Sequence, residues 1–225
     1  MTELTWQEAA SPRATLLLAH GAGAGQDSEA MVALTGALVD VGVTVVRFDF
    51  PYMVRRREDG RRRPPDRQPV LLAAFAEALA AVHEDARRAG RLLIGGKSMG
   101  GRMATLLMAG AHTSSEGKTL LKEVAGVVCF GYPFHPPGKP ERLRLDHWPD
   151  LRAPLLVCQG ERDTFGNRAE VEQYAREGLL SGAVTLHWLA DGNHDLTPRK
   201  ASGLTRADHL AASGQAMLSW LQRLP

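Results

Sequence analysis

The residue of this chain best suited to chemistry is a serine flanked by glycines. Ser98 lies in the sequence Gly-Gly-Lys-Ser-Met-Gly-Gly of residues 95–101, between an apolar run at 91–94 and a helix-like run at 102–109. A strand, the pattern Gly-x-Ser-x-Gly and a helix, in that order, are typical of a nucleophile elbow, a sharp turn that holds the serine hydroxyl above a sheet. The two glycines let neighbouring backbone pass close to the serine without a Cβ clash. We therefore expect Ser98 to be a nucleophile.

A serine nucleophile needs a general base and an acid that orients the base. The base we expect is His194, in Asp-Gly-Asn-His-Asp just beyond a predicted strand at 184–189. The acid we expect is Asp163, in Gly-Glu-Arg-Asp just beyond a predicted strand at 155–159, and Glu161 is its rival. All three members of the predicted triad thus follow strands, and they occur along the chain in the order Ser, Asp, His.

Acyl transfer also needs backbone N–H groups that bind the negative charge on the reacting carbonyl oxygen. Met99, directly after the serine, supplies one, and Ala22 in the loop His-Gly-Ala-Gly at 20–23 is expected to supply the other. We interpret His20 as a hydrogen-bonded histidine that shapes this loop, in preference to a proton carrier. Lys97, beside the nucleophile, is interpreted equally well as a structural lysine or as a residue with a role near the site.

Short apolar strands alternating with amphipathic helices would position these side chains. The predicted strands are 14–19, 43–48, 91–94, 124–130, 155–159 and 184–189, and helices are predicted through 31–41, 72–82, 102–109, 171–174 and 204–221. Such alternation predicts a parallel sheet covered by helices on both faces. Ligands of these sheets bind at the carboxyl ends of the strands, where the candidate residues lie. Two stretches lack this periodicity: 132–153, which we expect to pass over the site, and 112–119, which we expect to be a solvated loop.

The composition is that of an ordinary globular protein: 225 residues, 44% hydrophobic, 23% charged and a net charge of +2. With no linker or repeat, we expect one domain over residues 1–225. Cys129 and Cys158 lie in apolar runs and are predicted to be buried free thiols of a reducing compartment. The N-terminus does not resemble a signal peptide, and no apolar run is long enough to span a membrane. We expect a cytoplasmic protein that does not bind membranes.

Residues 55–67 contain seven arginines and follow the second predicted strand, which puts them at the sheet edge of Ser98. Two interpretations stay open. The segment is either a solvated, partly mobile loop, or a cationic patch that steers an anionic substrate or makes a weak contact with a polyanion. In the second case the substrate-binding residues would be Arg61, Arg62 and Arg63. No aromatic stacking platform accompanies the charges, so we do not expect a nucleic-acid partner.

No cofactor or metal is expected. The nucleophile segment ends like a phosphate-binding loop, but Arg91 stands where that loop needs its first glycine. Residues 21–26 come close to a dinucleotide fingerprint, although Gln26 replaces its last glycine; this stays a minor alternative, which added NAD(H) or NADP(H) would test by a shift in melting temperature. His135 and His147 lack metal-ligand spacing.

These motifs together resemble the α/β-hydrolase superfamily, in its small forms close to dienelactone hydrolases. His-Gly-Ala-Gly, Arg-Phe-Asp-Phe-Pro at 47–51, Gly-Gly-Lys-Ser-Met-Gly-Gly-Arg and Gly-Asn-His-Asp also resemble a narrower group of small predicted hydrolases. That group includes testis-expressed hydrolase-like proteins and a hydrolase-like part of a histone-acetyltransferase-complex scaffold subunit. The resemblance implies an α/β-hydrolase fold and the triad, but no substrate. Only about one strand fits before residue 14, so we expect six to seven strands and a minimal cap.

The sequence thus predicts a serine hydrolase that cleaves a small-molecule carboxylic ester or thioester, or less favourably an amide, through an acyl-enzyme. The alternative is a non-catalytic interaction or scaffold protein that keeps the hydrolase shell. An idle scaffold does not need the strained serine turn, and this favours the enzyme.

Overall fold

Seven strands form one sheet within residues 2–111, 115–180 and 183–225, the parts of the chain that this computed structural model describes. The strands are β1 (Leu4–Gln7), β2 (Ala14–Ala19), β3 (Val43–Phe48), β4 (Arg91–Lys97), β5 (Val124–Phe130), β6 (Leu155–Gly160) and β7 (Val184–Leu189). They lie in the order β1-β3-β2-β4-β5-β6-β7. Only β1 is antiparallel to its neighbour. The predicted mostly parallel sheet is confirmed, and β1 is the single strand expected before residue 14.

Helices cover both faces of the sheet, as predicted. They are α1 (Glu29–Val39), α2 (Pro51–Asp59), α3 (Gln68–Glu84), α4 (Met99–Met108), α5 (Ser115–Leu121), α6 (Arg168–Arg176) and α7 (Arg206–Leu221). Side chains of β2 alternate between the faces: Leu16 and Leu18 pack with α1 and α7, whereas Leu17 packs with α3 and α4. Every residue of β2 is buried, because both faces are covered. No helix of the described residues is long and apolar enough to cross a membrane.

Two helices replace predicted loops. α5 overlaps the stretch 112–119, so the loop prediction is wrong from Ser115 onward; residues 112–114 lie outside the described parts. Its last residue, Leu121, is buried in the core beside α3, and that contact gives the short helix its support.

The first half of the arginine block is also helical, not a loop. α2 continues to Asp59 and ends at Gly60, whose φ of 71° is the left-handed conformation that glycine adopts readily. Arg56 donates a hydrogen bond to the carbonyl oxygen of Gly23 (3.0 Å), and Arg57 pairs with Asp49 (3.3 Å). The first contact holds α2 against the loop that follows β2, and the second holds it against the end of β3.

The stretch 132–153 packs against the flank of α4. The rings of Tyr132 and Trp148 meet edge to face with centroids 5.1 Å apart, and both side chains are fully buried. His147 Nε2 lies 2.8 Å from Thr105 Oγ1 on α4. The proline-rich sequence therefore forms a rigid aromatic cluster beside the helix that follows Ser98.

Candidate active site

Ser98 occupies a strained turn between β4 and α4. Its φ of 52° and ψ of −115° fall where non-glycine residues are rarely found, at a cost of about 1–3 kcal/mol. The turn is tight because two glycines allow it. A Cβ on Gly96 would lie 2.4 Å from the carbonyl carbon of Gly100, and a Cβ on Gly100 would lie 2.4 Å from the carbonyl oxygen of Ala19. The spacing of the motif is thus a steric requirement of the turn.

The three residues of the predicted triad meet at the carboxyl edge of the sheet. His194 Nε2 lies 2.8 Å from Ser98 Oγ, and His194 Nδ1 lies 2.8 Å from Asp163 Oδ2. With the Nδ1 proton donated to the carboxylate, Nε2 is left to accept the serine proton. The arrangement can therefore activate the hydroxyl of Ser98.

The carboxylate of Asp163 is held by partners that the sequence analysis did not identify. Gln159 Nε2 donates to Oδ2 (2.9 Å) and the backbone N–H of Phe165 donates to Oδ1 (2.8 Å). The ring of Phe165 also stacks on that of His194, with centroids 4.1 Å apart. A glutamine at the end of an otherwise apolar strand was the available signal for the first of these contacts.

The rival acid, Glu161, points to other partners. It pairs with Arg168 (2.7 Å) and accepts the backbone N–H of Asp191 (3.1 Å). The hydrogen bond from Asp191, followed by that from Arg168, lowers the pKa of the Glu161 carboxyl. Its charge is therefore engaged away from the imidazole.

The loop after β2 lies beside the serine: a Cβ on Gly21 would be 3.7 Å from Cβ of Ser98. His20, fully buried, accepts the N–H of Phe50 at Nε2 (3.0 Å) and therefore donates from Nδ1 to the carbonyl oxygen of Gly21 (2.7 Å). Burial lowers the pKa of His20, which agrees with this neutral, structural form. Within the described parts of the chain, the backbone N–H groups of Ala22 and Met99 donate no backbone hydrogen bond. Both N–H groups are free for a ligand.

Lys97 ties the histidine loop to the end of β4. Its Nζ donates to the carbonyl oxygen of His194 (2.8 Å) and lies 3.4 Å from Oδ1 of Asp195. Burial lowers the pKa of this lysine. The side chain thus has a structural contact and also borders the cavity above Ser98.

A cavity of about 290 Å³ opens above Ser98 and His194. Its wall is largely apolar and includes Met31, Leu34, Leu196 and Leu210. Of the described residues that line it, none belongs to 132–153, so the expectation that this stretch passes over the site is wrong.

The three arginines predicted to bind substrate do not reach this cavity. Arg61, Arg62 and Arg63 are absent from its wall, and Arg63 pairs with Asp59 at 2.6 Å. The cations that do line it are Lys97 and Arg206. Any action of Arg61–Arg63 on a substrate would have to work at a distance, through their electric field.

The described residues contain no group of three or more His, Cys, Asp and Glu side chains that could hold a metal ion. Cys129 and Cys158 are unpaired and fully buried, and burial raises the pKa of both thiols. Neither thiol is placed to act as a nucleophile or ligand.

Solved structures with the same fold include several hydrolases. A dienelactone hydrolase from Anabaena variabilis is 17% identical with a TM-score of 0.71, over 99% of this chain and 92% of that one. An α/β serine hydrolase without a lid from Xanthomonas campestris is 21% identical with a TM-score of 0.64, over 100% and 91%. Est1E from Butyrivibrio proteoclasticus, solved with ferulic acid, is 12% identical with a TM-score of 0.67, over 99% and 96%. These likenesses establish the fold.

The family follows from the sequence match. Residues 12–222 match the model of a family described as alpha/beta hydrolase domain. That range contains Ser98, Asp163 and His194, as well as six of the seven strands. The resemblance seen in the motifs is thereby confirmed, and this chain belongs to the alpha/beta hydrolase domain family.

Proposed function

We propose that this protein is a serine hydrolase that cleaves carboxylic esters or thioesters through an acyl-enzyme. The observation that carries the proposal is the hydrogen-bonded series Ser98, His194 and Asp163 on a strained turn at the base of a cavity. A buried carboxylate, an imidazole and a hydroxyl in this order are what nucleophilic acyl transfer requires.

In the proposed reaction, Ser98 Oγ attacks the carbonyl carbon while His194 Nε2 takes the hydroxyl proton. The carbonyl oxygen becomes an oxyanion, which the N–H groups of Ala22 and Met99 bind; each such donor typically lowers the barrier by about 3 kcal/mol. His194 passes its proton to the departing alcohol or thiol as the bond to the carbonyl carbon breaks. Asp163 holds the imidazole and stabilises its cationic form.

Water completes the proposed cycle. His194 removes a proton from a water molecule, whose oxygen attacks the acyl carbon, and the bond to Ser98 breaks as the serine oxygen takes that proton back. A carboxylic acid leaves, and the enzyme returns to its starting state. Every proton is carried by one imidazole, so the described residues suffice for the reaction.

An ester-type substrate is supported by the site and by the named neighbours. The cavity is small and apolar, which suits a short acyl group. One neighbour is named as a dienelactone hydrolase and another as an esterase. The fully buried free thiols of Cys129 and Cys158 further support a reducing, cytoplasmic setting.

The alternative is a non-catalytic scaffold that keeps the hydrolase shell. Such a protein gains nothing from the strain at Ser98. The strained turn therefore favours catalysis over a scaffold role.

A fluorophosphonate probe tests the proposal, because it forms a covalent bond only with an activated serine. We expect one adduct per chain by intact-mass analysis, lost in Ser98→Ala and retained in Ser202→Ala, a change at an exposed serine outside the cavity. A folded wild-type protein that gains no adduct, while a known serine hydrolase labels in parallel, would contradict the catalytic assignment.

A further inference from the structure

The motif Arg-Phe-Asp-Phe-Pro at 47–51, followed by Tyr52, supplies no member of the triad. It leads from the end of β3 into α2. Its polar side chains bond to the loop that follows β2. Arg47 Nη1 donates to the carbonyl oxygen of Gln26 (2.5 Å), and Asp49 Oδ1 accepts the backbone N–H of Gln26 (2.8 Å). The motif is thus tied to the far end of that loop.

The near end of the same loop is held through His20 and Tyr52. The backbone N–H of Phe50 occupies His20 Nε2, which leaves the Nδ1 proton for the carbonyl oxygen of Gly21 (2.7 Å). Tyr52 Oη lies 3.0 Å from the carbonyl oxygen of Ala22 and 3.3 Å from that of Gly21, so its one proton is shared between them. Two successive carbonyl groups of the loop therefore accept from side chains of the fold.

These donors lie behind the loop, on the side away from the cavity. His20 and Tyr52 are fully buried, and neither lines the cavity above Ser98, whereas Gly21 and Ala22 do. Burial, and to a smaller extent a neighbouring carboxylate, raises the pKa of Tyr52, so the phenol keeps its proton and remains a donor. The carbonyl groups are drawn toward the interior of the protein.

A carbonyl group held on one side fixes the N–H of the same peptide on the other side. The peptide that joins Gly21 to Ala22 is planar and trans, so its C=O and N–H point in opposite directions. With the oxygen of Gly21 bonded to His20 and Tyr52, the N–H of Ala22 points away from these buried side chains. That direction is required of an oxyanion donor.

The next carbonyl group along the loop is held from α2 as well. Arg56 Nη1 donates to the carbonyl oxygen of Gly23 (3.0 Å), and Arg56 is not part of the cavity wall. The sequence Gly-Ala-Gly-Ala-Gly at 21–25 would have wide conformational freedom without such contacts. Since an oxyanion donor is effective only when it is already oriented before the reaction, this loop needs support from outside.

We propose that Tyr52 is a positioning residue that, with His20 and Arg56, orients the N–H of Ala22 toward the oxyanion. This inference rests on the proposed hydrolase function. It also gives the motif at 47–52 a role in the reaction, because the motif begins α2 where Tyr52 and Arg56 can reach the loop. None of the three side chains touches the substrate.

Tyr52→Phe tests the inference, because it removes the hydroxyl and keeps the buried ring. We expect kcat for p-nitrophenyl acetate to fall at least about tenfold and KM to change less than about twofold, since the oxyanion forms only in the chemical steps. Tyr174→Phe is the matched control. It also removes a buried tyrosine hydroxyl, one on α6 with no partner among the described residues and outside the cavity wall, and it should leave kcat unchanged.

Two ketones give a readout that a merely structural role would not change. 1,1,1-Trifluoro-2-pentanone adds to an activated serine and forms an oxyanion, whereas 2-pentanone occupies the site without adding appreciably. In Tyr52→Phe the inhibition constant of the first should rise at least about tenfold, and that of the second should stay within about twofold of the wild-type value. Tyr174→Phe should change neither constant.

The outcomes separate this inference from the hydrolase function. A wild-type protein that neither cleaves esters nor reacts with a fluorophosphonate overturns both. An active wild type and a folded Tyr52→Phe with unchanged kcat and unchanged inhibition constants overturn only the role of Tyr52, as do equal losses in Tyr52→Phe and Tyr174→Phe. If Tyr52→Phe does not fold, Arg56→Gln replaces it: kcat should fall about threefold at constant KM, and an unchanged kcat overturns the inference.

Discussion

At the scale of single residues, the two acids near His194 are distinguished by their surroundings. Asp163 is fully buried, and both of its oxygens accept hydrogen bonds close to the imidazole. Glu161 is bound to Arg168 and to the backbone of Asp191 instead. An orienting acid must hold the Nδ1 proton of the imidazole, and among these two only Asp163 does so.

We therefore expect unequal effects from two conservative substitutions. Asp163→Asn should lower kcat for p-nitrophenyl acetate by about 10⁴-fold, because the amide no longer fixes the productive tautomer of His194. Glu161→Gln should change kcat by less than about threefold, since it breaks an exposed ion pair. His194→Ala should be as damaging as Asp163→Asn. A mild Asp163→Asn together with a severe Glu161→Gln, both folded by circular dichroism, would reverse the assignment of the acid.

The sequence alone predicted which of these side chains would meet, but not what surrounds them. Ser98, Asp163 and His194 each follow a strand of a parallel sheet, and the carboxyl ends of such strands share an edge. The contacts of Gln159 and Phe165 depend instead on how the intervening loops fold back. No period or motif encodes that geometry, so these residues emerged only from the structure.

At the scale of elements, the turn between β4 and α4 depends on glycine. A Cβ at Gly100 would lie 2.4 Å from the carbonyl oxygen of Ala19, a backbone atom of β2 that cannot move without disturbing the sheet. Gly36 offers a matched comparison, because it lies inside α1 with no atom within 4 Å of the position of its Cβ. A Cβ added at Gly100 thus clashes with backbone, whereas a Cβ added at Gly36 does not.

Gly100→Ala should lower the free energy of unfolding by about 3 kcal/mol or more, through the clash with β2. Gly36→Ala should raise it by up to about 1 kcal/mol, because alanine has the higher helix propensity. Urea denaturation followed by far-ultraviolet circular dichroism measures both. Equal stabilities for the two variants would mean that the turn can relax and that its glycines are not sterically required.

The strands and the longer helices could be predicted because burial imposes a regular pattern on them. α5 has seven residues and buries Leu121 at its very end, which leaves too little periodicity to identify a helix. α2 buries only Tyr52 and Met53. Its three consecutive arginines are typical of a solvated segment, so the sequence indicated a loop there. Its helix signals were present in the proline at its first position and in Gly60 after its end. The run of arginines outweighed these two helix signals in the prediction.

At the scale of the whole molecule, the arginines beyond α2 can act on a substrate only through their field. Arg61, Arg62 and Arg63 follow β3 on the sheet edge where Ser98 lies, but they are outside the cavity wall. Arg63 is partly neutralised by Asp59, whereas Arg61 and Arg62 are exposed. A field of this kind raises the rate at which anions arrive, and salt weakens it as the screening length falls from about 10 Å at 0.1 M to about 3 Å at 1 M.

Replacing these three arginines with glutamine should therefore lower kcat/KM for a carboxylated ester more than for a neutral ester of the same size. The wild-type preference for the anionic ester should shrink between about 0.05 and 0.5 M salt, a range over which screening becomes severe. The control removes three exposed charges that precede β5 and β6, at the opposite edge of the sheet: Lys118, Lys122 and Arg152. This control should leave the preference intact. If both triple variants behave alike and salt has no effect, the arginines are a solvated surface segment that does not steer the substrate.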